Sequence, residues 1–217
     1  CILDDQPSVN HRTQAITILD QPIRRPTNSL GAFTIMENSA SSDYHALQLT
    51  VLRRLSRGFQ LSSNWTWSHA IDQVSDMFDT RGFSALPENS TRPAEDRASA
   101  NFDARHRMTG FLTWNGFRQW SFALTVEFQT GQPYTVNTVE DLNGDGNLTD
   151  RRQGIGRNTS RAAGIGTADA AITRSFSFGS SKSVDARMEV FNVFNRTIPG
   201  IPVRILESPG FGTSYDT

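Results

Sequence analysis

Asp141-Leu142-Asn143-Gly144-Asp145-Gly146-Asn147-Leu148-Thr149-Asp150 carries oxygen-bearing side chains at alternate positions around a glycine. A D-x-N-x-D-G spacing lets several oxygens converge on one hard cation, because the glycine permits the sharp turn between them. Asp141, Asn143, Asp145, Asn147, Thr149 and Asp150 are therefore the candidate metal ligands, and calcium is the ion they would take. The twelfth position, where a bidentate carboxylate would complete the shell, is Arg152, and no flanking helices are expected. The same residues also describe a polar, Asx- and Gly-rich hairpin tip. His69 with Asp72, and Asp103 with His106, are acid–histidine pairs of the kind used in metal or general-base chemistry. Their place in long loops points instead to turns and loop–loop hydrogen bonds. There is no G-x-S-x-G elbow, no phosphate-cradling glycine loop and no H-E-x-x-H. No catalytic residue is assigned, no enzyme is expected and no cofactor is required.

The elements that must carry these residues are strands. Phe59, Leu61, Trp65 and Trp67 share one parity, against Gln60, Ser62, Asn64, Thr66 and Ser68 on the other. Trp120, Phe122, Leu124, Val126 and Phe128 repeat the pattern against Ser121, Thr125, Glu127 and Gln129. Period two sends successive side chains to opposite faces of a sheet. Three hairpins follow: Tyr44 to Ser68 through Ser56-Arg57-Gly58, Arg107 to Thr130 through residues 115–119, and Thr167 to Phe194 through residues 179–183. The connections between hairpins, about Ala70 to His106 and Gly131 to Gly166, are far longer than compact soluble domains usually carry. Short turns at one end and long loops at the other are the habit of outer-membrane barrels.

Aromatic placement agrees. Phe59, Trp114, Trp120 and Phe178 fall beside the short turns, and Trp65, Trp67, Phe128 and Phe194 near the long loops, giving two belts at the water–lipid boundaries. Arg53 and Arg174 fit badly, because both fall on the lipid parity. Snorkelling or a parity-resetting bulge would relieve them. By parity, Gln48, Thr50, Asn64, Thr125, Glu127, Gln129, Asp169, Arg187 and Glu189 face a wet lumen.

Composition bounds the reading loosely. An apolar content of 36% and a mean hydropathy of −0.44 exclude membrane-spanning helices but not a barrel, whose wall offers every second residue to lipid. A net charge of −1, with Lys182 the sole lysine and the arginines scattered along the chain, leaves no nucleic-acid footprint. Cys1 is the sole cysteine, so there is no intrachain disulfide framework. A start at Cys1 without a leader is expected of a fragment of something longer. Residues 1–43 read as a loop-rich segment with a short rim strand over 32–37. Residues 44–217 read as the C-terminal segment of an outer-membrane β-barrel whose final strand is missing.

Ser42-Asp43-Tyr44-His45-Ala46-Leu47-Gln48-Leu49, Trp65-Thr66-Trp67-Ser68-His69-Ala70-Ile71-Asp72, Phe102-Asp103-Ala104-Arg105-His106-Arg107, Thr130-Gly131-Gln132-Pro133-Tyr134-Thr135-Val136, Gly156-Arg157-Asn158-Thr159 and Glu189-Val190-Phe191-Asn192-Val193-Phe194-Asn195-Arg196 follow one another in order. Together they resemble the C-terminal part of a TonB-dependent outer-membrane receptor barrel of the Oar-like type, which often carries a carboxypeptidase-regulatory-like domain. The resemblance implies a Gram-negative outer-membrane location and a barrel of about 22 strands. It also implies an N-terminal plug of the same full-length chain and coupling to the inner-membrane TonB complex through regions outside this sequence.

The expected fold is all-β: an open, curved antiparallel meander of about six long strands with long loops at one end, a partial transmembrane β-barrel. Six strands cannot close a barrel, since the smallest use about eight. The expected function is the wall of a receptor that takes up an extracellular ligand, in contact with outer-membrane lipid. Its substrate-binding residues are not assigned. The alternatives are a passive porin-like or adhesion barrel, and a soluble calcium- or carbohydrate-binding β-sandwich.

Overall fold

Alternation of apolar and polar residues yields the strands it predicts. The computed structural model describes residues 9–10, 15–16, 38–75, 87–89, 92–143, 150–179 and 181–215. Six long strands dominate: β1 (Ser42–Ser56), β2 (Phe59–Asp72), β3 (His106–Phe117), β4 (Trp120–Gln129), β5 (Ile165–Phe178) and β6 (Lys182–Val190). Each pairs antiparallel with the next, so spatial order is chain order. β1 and β6 do not pair with one another, and the sheet stays open. Ala98–Ser99, from the first long loop, folds back onto the end of β2, and Pro133–Tyr134 pairs with Ser160–Arg161 in the second loop. Among the described residues the one helical segment is a 3-10 turn, Pro93–Asp96. The short strand expected over 32–37 lies outside the described residues.

Register sorts the two faces. Cross-strand partners stand on the same face, which places Arg53, Leu61, Leu112, Leu124, Ala170 and Val190 in one row. Phe59, Trp114, Phe122, Ile172 and Met188 form the next row toward the short turns. The opposite face carries Thr50, Asn64, Thr109, Glu127 and Thr167 in one row, and Gln48, Thr66, Arg107 and Gln129 in another. All nine residues expected to face the lumen share that polar side. Leu52 and Phe111 also stand on it, beside Ser62 and Thr125. The apolar face is bare: Leu49 is 50% and Met188 62% exposed, as for side chains solvated by something outside the chain.

The turns explain themselves residue by residue. Arg57 and Gly58 both have positive φ (51° and 77°), as do Arg118 and Gln119 (44° and 65°), the backbone that matches the twist of hairpin strands. The turn expected over residues 115–119 is therefore tighter than its Asn-Gly pair suggests. Asn115-Gly116 forms a bulge, with the register shifting between Asn115 and Phe117. A Cβ at Gly116 would fall 2.4 Å from the Trp114 indole nitrogen, so any larger residue there makes the indole shift. β6 ends at Val190, short of the expected Phe194, because the Asn192 N–H leaves the ladder for Asp169 Oδ1 at 2.8 Å.

Arg53 and Arg174 keep the apolar parity, paired with Leu61 and Trp120. The bulge in β1 falls between Arg53 and Ser56, on the turn side of Arg53, and does not reset it. Arg53 lies over the Phe59 ring at 5.0 Å, and Arg174 lies over Trp120 at 5.1 Å and Phe176 at 4.9 Å. Stacking at the aromatic rim is thus what accommodates both charges.

Candidate functional site at the long-loop end

The buried residues of this molecule gather where the long loops meet the wall. Ala70, Ala100, Ala104, Val136 and Ala168 form its small apolar core, interleaved with buried Asp72, Asp96, Asp103, Thr138, Asp150, Arg151 and Arg157. A buried charge needs a partner and its remaining polar atoms need hydrogen bonds. Here Asp72, Asp96 and Asp103 each find a guanidinium from the second loop.

Arg157 is the central clamp. Its Nη2 donates to Asp72 Oδ1 at 2.8 Å and to Ser75 Oγ at 2.7 Å, and its Nη1 donates to the carbonyls of Asp72 and Asp96 at 3.0 and 3.1 Å. One planar fork so joins the second loop, the end of β2 and the first loop. Arg151 pairs with Asp96 at 2.5 Å and with Glu88. Asp103 receives Arg161 Nη2 at 2.7 Å, Arg105 Nε at 3.1 Å and the Ala70 N–H at 2.9 Å. Burial pushes the Asp103 carboxyl up, but the Arg161 and Ala70 hydrogen bonds and the charges of Arg105 and Arg161 together hold it below the usual carboxylate range.

Residues 195–215, which follow β6, join as a third loop through backbone and one acid. Asn137 N–H donates to the Arg204 carbonyl at 3.0 Å, and Leu206 N–H returns to the Asn137 carbonyl at 2.9 Å. Glu207 accepts from the Thr138 hydroxyl at 2.8 Å, the Val139 N–H at 3.1 Å and Arg152 at 2.9 Å. Desolvation raises the Glu207 carboxyl, and these donors outweigh it, leaving its pKa lowered.

The acid–histidine pairs do not form dyads. Asp72 and Asp103 are engaged by arginines, His69 Nε2 faces Arg105 Nη2 at 2.8 Å, and His106 stacks on Trp65. Of the calcium-loop candidates, Asp145, Asn147 and Thr149 lie outside the described residues. Asp150 Oδ2 accepts the N–H groups of Leu142 and Asn143, the Asn143 side-chain amide donates to the Glu88 carbonyl, and Asp141 is exposed at the loop base. Among the described residues no group of three or more His, Cys, Asp or Glu side chains is placed to hold a metal.

Glu88, Asp96, Arg151 and Arg161 were not singled out from the sequence as site residues. Arg157, Asp103 and Asp72 were present in motifs, but their pairing was not visible there. The arrangement does mechanical work: it fixes three loops into one layer over the end of the wall.

Residues 3–156, well over half of the chain, match the family model for the outer membrane beta barrel domain. The chain belongs to that family. No curated protein and no solved structure matches it. Family membership places the chain in the outer membrane and identifies the open sheet as a segment of barrel wall. The apolar face is then the lipid face, and the polar face, with Asn64, Thr125, Glu127 and Asp169, lines the interior. The soluble sandwich gives way to this assignment. By the barrel convention the short turns are periplasmic and the ion-paired loop layer is extracellular.

Proposed function

We propose that this barrel segment is the wall of a TonB-dependent receptor that actively imports an extracellular ligand. The supporting observation is the convergence of the motifs that carry the resemblance. Asp72, Asp103, Arg105, Arg157 and Asn158 come from three separate motifs and meet in one cluster at the extracellular end, where Asn158 also bonds Thr135, Ser99 and Asn101. In this reading the ion-paired loops present the ligand surface, including exposed Phe102 and Val139. The polar wall, with Leu52 and Phe111 among its hydroxyls, packs against a plug belonging to the same full-length chain. The TonB complex is the energy-coupling partner, the chain transports and does not catalyse, and calcium at the 141–150 tip is an accessory ion.

Conductance of the intact protein in a planar bilayer bathed in potassium chloride tests this reading. A plugged importer stays closed and opens when the plug is deleted. Steady conductance immediately after insertion, before any deletion, would identify a passive porin and end the proposal.

A further inference from the structure

The charges on the lipid face are sorted by end. Along the six strands, the paired apolar-face positions near the short turns carry Arg53, Arg174 and Lys182, and no acid. Asp43, with His45, His69 and His106, lies at the opposite end of that face, where Asp43 is paired with Arg97. The nearest acid to the short-turn rim, Asp185, pairs with Ser175 and so stands on the lumen side. Along the chain these cations look scattered; the register gathers them on one rim.

Their geometry suits a particular ligand. Arg53 and Arg174 lie over the faces of Phe59, Trp120 and Phe176, and among the described residues neither has a carboxylate partner. A guanidinium carries five N–H donors around the edge of its plane, so contact with ring faces alone leaves donors there for another acceptor. A cation held at an aromatic girdle lies at the depth of lipid headgroups, where a phosphate can accept charge-assisted hydrogen bonds from that edge. We propose that Arg53, Arg174 and Lys182 bind the headgroup phosphates of phospholipids in the periplasmic leaflet, with anionic headgroups preferred. Arg53 and Arg174 are four strands apart, roughly 19 Å at the usual strand spacing, so each holds its own lipid.

Native mass spectrometry of the intact protein, released from a neutral detergent after incubation with phosphatidylglycerol, phosphatidylcholine or inorganic phosphate, tests the site. Phosphatidylglycerol should be retained over phosphatidylcholine. Arg53→Gln and Arg174→Gln should each weaken its retention about five-fold, the effect of one basic residue at an anionic surface. Arg187→Gln, on the lumen face, should leave retention unchanged. Unaltered retention in both rim variants, an equal loss in Arg187→Gln, or full displacement of the lipid by equimolar inorganic phosphate would each overturn the proposal. Heat-modifiable gel migration confirms folding of every variant. If a rim variant fails that check, the lipid preference and phosphate competition of the unsubstituted protein still decide the matter.

Discussion

Arg157 Nη2 lies 2.8 Å from Asp72 Oδ1, and both side chains are almost wholly buried although 85 residues separate them. The pair ties a loop of the second connection to the last residue of wall strand β2. Breaking a buried ion pair from one side costs about 3–5 kcal/mol, mainly because a desolvated charge is left behind. Arg157→Ala should therefore loosen the loop layer without dissolving the wall. Hydrogen exchange should speed up at the Ala100 amide, which bonds the Ala70 carbonyl beside the clamp, and stay slow in β4 and β5. Arg157→Lys should not rescue it, since an ammonium cannot reach the four acceptors that the guanidinium spans.

Acid should release the same layer through Asp103. Its carboxyl is held below the ordinary range, so its contribution to stability is complete above the unfolded value of about 3.9 and is lost as pH falls through the lower, folded value. Exchange at the Ala70 amide, corrected for the intrinsic pH dependence, should stay constant from neutral to about pH 5 and rise only in stronger acid. Asp103→Asn should raise exchange already at neutral pH and remove most of the acid-dependent step. An unchanged acid step in that variant would assign the transition to another carboxylate.

The strands and faces were legible from local pattern, because side-chain alternation in Phe59–Ser68 or Trp120–Gln129 reports directly on which side of a sheet each residue occupies. Asn115-Gly116 is ambiguous locally: a bulge and a turn want the same residues, and what distinguishes them is the register shift at Asn115 and the positive φ of Arg118 and Gln119, which put the turn further on. The loop cluster was illegible for a different reason. Arg157 and Asp72, or Arg151 and Glu88, 63 residues apart, are joined by topology, and nothing in the spacing of either names its partner. Arg53 showed its parity in the sequence; what it rests on, Phe59, became clear once the first hairpin was in register.

Neighbouring positions on β4 should respond oppositely to the same substitution. Leu124 stands among Leu112 and Ala170 on the lipid face, whereas Thr125 stands beside Asp169 on the lumen face. Leu124→Arg should cost about 2–4 kcal/mol, the range for arginine near the bilayer midplane. Thr125→Arg gains water and a nearby carboxylate, and should shift stability by less than about 1 kcal/mol. Urea unfolding of the intact protein in lipid vesicles measures both. Equal penalties would show that the two faces have been assigned to the wrong solvents.

Two turn glycines with nearly the same backbone separate strain from close contact. Gly58 (φ 77°) and Gly179 (φ 67°) both occupy the left-handed region, where an added Cβ costs about 1–2 kcal/mol. At Gly179 a Cβ meets nothing within 4 Å, so Gly179→Ala should cost that strain alone. At Gly58 the Cβ would fall 2.0 Å from the Asn115 carbonyl oxygen, across the junction between the first and second hairpins. That junction also holds a 2.6 Å hydrogen bond from the Asn115 N–H to the Gly58 carbonyl, which a displaced backbone would lose. Gly58→Ala should accordingly destabilise the wall by at least about 1 kcal/mol more than Gly179→Ala in the same urea titration, the worth of the forfeited bond. Matching penalties at the two sites would mean that the hairpins do not approach as closely at Asn115 as this register requires.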